Sequence, residues 1–84
     1  MLSKIKNDNI ILIGSNIKRI RIERNLKPRE LVRMVQLSGT DLNVFSLSKI
    51  EANTQHIKAS QFRSIAEALN VDCLELLKPV NDIK

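Results

Sequence analysis

Apolar residues recur at helical intervals along most of this chain, and the gaps between them read as caps and turns. Ile13, Ile17 and Ile20, then Arg24, fall on one stripe of a first helix over Ile13–Arg24, with Arg21 on its border. Asn25-Leu26-Lys27 interrupts the period, and Pro28 opens a second helix at the first position, which its fixed φ suits. Leu31, Met34 and Val35 give the i, i+3, i+4 spacing of that helix, with Val32 beside them, up to Gln36 or Leu37. Glu30 sits in its first turn, where a negative charge complements the helix dipole.

Ser38-Gly39-Thr40-Asp41 reads as a turn, with Gly39 free to take a positive φ. A third helix, Val44 to Ala52, follows an Asn43 N-cap and stops at Asn53, a residue that tolerates the left-handed conformation. Its side chains sort by angle: Leu47 and Ile50 share one side, with Glu51 at its border. Phe45, Ser48 and Lys49 lie on roughly the opposite side, Ser46 on a flank and Val44 near the leading end. One face therefore suits a core while the other presents a ring, hydroxyls and an ammonium.

Residues 53–58 form a polar loop anchored by Ile57, and a fourth helix, Ala59 to Leu69, is expected to bury Phe62, Ile65, Ala66 and Leu69. Asn70 ends it. Asp72 caps a short fifth helix, Cys73 to Lys78, expected to bury Leu74 and Leu77, and Pro79 stops it. Ahead of the first helix, Lys4-Ile5-Lys6 and Ile10-Ile11-Leu12 suit an arm or short strand. The pattern predicts an all-α domain of five helices over residues 13–78, with an arm at 1–12 and a tail at 79–84.

Composition narrows what such a domain does. Only two glycines and two prolines leave few breaks for a many-stranded sheet, and 43% apolar residues argue against disorder. Trp and Tyr are absent, so the rings of Phe45 and Phe62 are too few for a single-strand stacking platform. Cys73 is alone, which excludes an internal disulfide and fits a reducing, cytoplasmic setting. The apolar run Ile10–Ile13 is too short to cross a membrane. His56 is the single histidine, far in sequence from Cys73, so neither a metal cluster nor a nucleophile–base pair is expected. Without a Gly-rich phosphate loop or a suggestive carboxylate pair, catalysis and a cofactor are not expected either.

Charge points to a polyanion. The net charge is +5, and Lys18, Arg19, Arg21, Arg24, Lys27, Arg29 and Arg33 are opposed within their stretch only by Glu23 and Glu30. Beyond Ala59 the balance reverses, with Glu67, Asp72, Glu75 and Asp82 outnumbering Arg63, Lys78 and Lys84.

Four segments then resemble one family. Ile13-Gly14-Ser15-Asn16-Ile17-Lys18-Arg19-Ile20-Arg21, Glu30-Leu31-Val32, Leu47-Ser48-Lys49-Ile50-Glu51 and Ile65-Ala66-Glu67-Ala68-Leu69-Asn70-Val71 together resemble the phage repressor and Cro-like helix-turn-helix family. The likeness runs from about Ile13 to Leu77. The Ser-Lys-Ile-Glu element combined with Ile-Ala-x-Ala-Leu-x-Val gives it specificity. The turn over Ser38–Leu42 is longer than the 3–4 residues usual for the motif, and resembles an extended-turn subgroup in which Gln36-Leu37-x-Gly39-x-Asp41-Leu42 recurs. Val32 replaces a small alanine, Pro28 a polar residue that often touches phosphate, and Asn53 a glycine.

The resemblance implies a sequence-specific DNA-binding transcriptional regulator, a repressor by expectation, reading the major groove of double-stranded DNA with the third helix. Its base readers map to Val44, Phe45 and Lys49. Ser46, Ser48, Thr54, Gln55, His56, Lys58 and Arg29 map to flanking or backbone contacts. Arg21 and Glu51 each border the apolar stripe of their helix and occupy positions the family pairs, so a partly buried ion pair is expected. A homodimer is expected too, through the fifth helix with Val80 and Ile83, or alternatively through an arm strand at Ile10–Leu12. Two apolar readers also suit a second function, a helical protein-interaction module that has lost or altered DNA binding.

Overall fold

The computed structural model describes residues 4–5 and 12–78, and within them the helical period is converted into five helices. These are α1 (Ile13–Glu23), α2 (Pro28–Leu37), α3 (Val44–Glu51), α4 (Ala59–Leu69) and α5 (Cys73–Leu76). Two-residue strands β1 (Lys4–Ile5) and β2 (Ile57–Lys58) pair antiparallel, Lys4 opposite Lys58 and Ile5 opposite Ile57. This small ladder is the one departure from an all-helical fold among the described residues.

Local chemistry sets the ends. The Glu30 carboxylate accepts from the Lys27 amide at 2.7 Å, closing the first turn of α2 behind Pro28. Asn43 Oδ1 accepts from the Ser46 amide at 2.8 Å, satisfying an orphan donor at the start of α3. Gln61 Oε1 does the same for the Lys58 amide ahead of α4 at 3.0 Å, and Asp72 for Leu74 at 3.3 Å. Beyond α1, α3 and α4 the chain turns through left-handed asparagines, Asn25, Asn53 and Asn70, with φ of 59°, 61° and 59°. Gly39 takes φ 95° after α2, as its place in the turn requires.

The core gathers Ile13, Ile17 and Ile20 of α1, Leu31, Val32 and Val35 of α2, and Leu47 and Ile50 of α3. Ile57, Ile65, Ala66, Leu69 and Leu76 close it from the other side. α3 lies across α1 and α2, while α4 backs α2 and supports α5. Gly14 allows the closest of these approaches: a Cβ there would stand 1.7 Å from the Ile50 carbonyl oxygen. Asn16, in the first turn of α1, ties that helix to α5 and the residues just after it, its Nδ2 donating to the carbonyls of Leu76 and Lys78 at 2.9 Å each.

Five positions depart from the periodic reading. Met34 is 39% exposed and Leu74 67% exposed, whereas both were expected inside. α5 is a single turn ending at Leu76, so Leu76 takes the buried place and Leu77 is only half-buried. Phe62 likewise packs at the margin of the core, half-buried. Arg24 caps α1 and is exposed, its Nε donating to the Leu69 carbonyl at 2.8 Å. The arm residues Ile10 and Ile11, the stop Pro79, and Val80 and Ile83 lie outside the described residues.

Candidate nucleic-acid interface

α3 is held by its inner face and displayed by its outer one. Leu47 and Ile50 are fully buried, and each contributes about 1.5–3 kcal/mol by leaving water. Glu51 completes that face. Its carboxylate accepts two parallel bonds from Arg21, Nε to Oε2 at 2.8 Å and Nη2 to Oε1 at 3.0 Å, and Nη1 of the same guanidinium donates to the Leu26 carbonyl at 2.8 Å. Arg21 is 7% exposed and Glu51 9%, so the pair bridges α1 and α3 while also holding the loop that leads into α2. A planar five-donor group suits this double duty, and a lysine does not.

The outer face carries Val44, 44% exposed, Phe45, 81% exposed, and the exposed Ser48 and Lys49, with Ser46 half-buried on the flank. Phe45 makes no contribution to the core. Beyond the helix, Thr54 folds back, its hydroxyl donating to the Lys49 carbonyl at 3.1 Å. Thr54, His56 and Lys58 are exposed and Gln55 is half-buried, so this loop and β2 run past the C-terminal end of α3. Arg29 is exposed in the first turn of α2.

Three grooves meet at Val44. One is lined by Lys18, Pro28, Ser48 and Ala52, a second by Lys27, Arg29 and Glu30, and a third by Arg29, Arg33, Gln36 and Asn43. Lys18, Lys27, Arg29 and Arg33 make no ion pair among the described residues. From the sequence all four belong to the basic stretch, but only Arg29 was expected as a DNA contact. The charge bias was visible in the sequence, but which basic residues surround the start of α3 depends on how α1 and α2 cross it. A cluster of unpaired cations beside a helix N-terminus makes a positive surface suited to phosphate.

The turn before α3 is bonded at several points. Gln36 Nε2 donates to the Leu42 carbonyl at 2.7 Å, and Gln61 Nε2 to the Asp41 carbonyl at 3.1 Å. The hydroxyls of Thr40 and Ser64 share a short hydrogen bond, and the Ser38 hydroxyl donates to the Val35 carbonyl at 2.6 Å. Among the described residues no cluster of His, Cys, Asp or Glu gathers as a metal site, and no helix is long and apolar enough to cross a membrane.

A family model described as a helix-turn-helix domain matches residues 14–82. No curated protein matches the chain. Among solved structures, the chain is similar to the restriction-modification controller protein C.AhdI from Aeromonas hydrophila, with 16% identity and a TM-score of 0.70 over 80% of this chain and 94% of that one. It is similar to the clp gene regulator ClgR from C. glutamicum, at 17% identity and TM-score 0.68 over 77% and 78% of the two chains. The hypothetical transcription factor NHTF from Neisseria aligns at 20% identity and TM-score 0.71 over 90% of each. At these identities the likeness establishes a shared fold.

Proposed function

The chain belongs to the helix-turn-helix domain family, and from that premise we propose that it is a sequence-specific DNA-binding transcriptional regulator. α3 enters the major groove, where Lys49 donates to guanine O6 or N7 and Val44 and Phe45 press on thymine methyls. Thr54, Gln55, His56, Lys58 and Arg29 take phosphates, with Ser46 and Ser48 beside the groove wall. The observation that carries this reading is the outward face of α3, free of any packing role and surrounded at Val44 by unpaired cations. The regulators named in the structural comparison lend it weight, as does the charge bias of the front helices.

Repression, by occupying a promoter as a cytoplasmic homodimer, is the specific form proposed. Two copies would read half-sites about 34–36 Å apart. Gel-shift of the purified chain against random-sequence duplexes, with selection and a salt titration, tests it. Enrichment of a two-fold symmetric site and a steep salt dependence are expected. Retention of no sequence over bulk duplex would count against it. The 81% exposure of Phe45 favours a second reading, a protein-interaction module, which predicts a partner protein lost on Phe45→Ala with no DNA preference.

A further inference from the structure

We infer that Gln61 and Ser64 of α4 are positioning residues for base reading, acting on α3 through the extended turn. The inference rests on the DNA-reading proposal above. α3 is joined to α2 by residues 38–43, and a connection of that length with Gly39 at φ 95° has the freedom to enter α3 at more than one angle. Buried Leu42 and the inner face of α3 limit that freedom, and three side-chain bonds narrow it further. Gln36 holds the Leu42 carbonyl from the α2 side, while Gln61 holds the Asp41 carbonyl and Ser64 the Thr40 hydroxyl from the α4 side.

Gln61 and Ser64 are buried polar residues whose side chains bond to the turn and to the start of α4. Gln61 spends both ends of its amide this way. Oε1 accepts from the amide of Lys58, and Nε2 donates to the turn one residue before Leu42. The backbone that carries Lys58, a phosphate-contacting candidate, is thereby fixed relative to the entry of the helix that carries Lys49. A protein that reads bases must hold those two contacts in one register, because phosphate contacts set the frame in which a base-edge donor is judged. α4 supplies that frame from behind, without touching DNA.

The test measures the ratio of affinities for a selected site and its single-base variants, alongside bulk-duplex affinity, its salt slope and thermal melts. Thr40→Val combined with Ser64→Ala removes both hydroxyls together, so no buried group is orphaned and the fold should persist. Gln61→Met is the second variant. For both, discrimination should fall roughly tenfold at base pairs read by α3, because a small misplacement of a reading group is costly. Bulk-duplex affinity should stay within about twofold and the salt slope unchanged, since the phosphate contacts remain. Variants that fold and discriminate as the parent does would overturn the inference, and so would a parallel loss of bulk affinity and melting temperature, which marks a purely structural role. A parent chain with no site preference at all would instead overturn the DNA-reading proposal on which this one stands.

Discussion

Arg21 and Glu51, thirty residues apart in sequence, meet as a two-pronged ion pair with both side chains almost wholly withdrawn from solvent. The contact joins the first and third helices at the edge of the core, and the third guanidinium nitrogen, Nη1, donates to the Leu26 carbonyl. Removing one partner leaves a buried charge without its counter-ion. Arg21→Met or Glu51→Leu alone should cost about 3–5 kcal/mol, and the two together much less than their sum. A denaturant double-mutant cycle reads the coupling, and no coupling would mean that solvent reaches the site.

Gly14 makes a second, sharper demand on the same helix pair. An alanine methyl would collide with the Ile50 carbonyl and stand 2.8 Å from Asn53 Oδ1, so backbone must move. Gly14→Ala should therefore destabilise by about 1–3 kcal/mol or more, despite alanine's better helix propensity. Urea unfolding at constant m-value checks it; a stabilised variant would show that α1 can slide without loss.

At the interface, base and phosphate contacts should separate in their signatures. Lys49→Ala should lose about 1–3 kcal/mol of discrimination at one base pair. Lys58→Ala should weaken all sequences alike and lower the salt slope by about one. Binding to a selected site and its variants over a salt series distinguishes the two, and identical profiles would remove Lys49 from the reading set.

Phe45→Ala should leave stability within about 0.5 kcal/mol, because the ring lies outside the core and is largely exposed. Its cost should appear in DNA affinity where thymine is present. A melt lowered by several degrees would contradict the exposure of the ring, while intact DNA binding with loss of a protein partner would favour the interaction module.

Asn70 tests the left-handed helix stops. Exposed and at φ 59°, it ends α4 with its amide bonded to the Glu67 carbonyl at 3.0 Å. Asn70→Ala should cost about 1 kcal/mol through its Cβ, and Asn70→Gly should be close to neutral. Equal stability of the two would show that the backbone conformation is not what asparagine serves.

Helix starts and stops were legible because each depends on one or two adjacent residues: Pro28, Asn43 and Asp72 before helices, Asn53 and Asn70 after them. Leu74 was misread because a helix of one turn has no period to average over. Which of its leucines turns inward is decided by where α1 and α4 lie, and Leu76 won. Met34 fell outside for a related reason: Val32, on the other edge of the α2 stripe, takes the buried place instead. The bonds from Gln61 and Ser64 to the turn had no signature at all, since an amide and a hydroxyl on a helix look like ordinary surface residues until their partners, 20 and 24 residues away, are placed.

Apart from Ser46 on the flank, α3 divides its side chains between two sets with no member in common. Leu47, Ile50 and Glu51 anchor it, and Val44, Phe45, Ser48 and Lys49 face outward. Evolution can therefore rewrite the outward set one residue at a time without passing through an unfolded ancestor. The same partition makes the helix a graft site: a borrowed outward set can be written onto this scaffold while its anchors stay as they are.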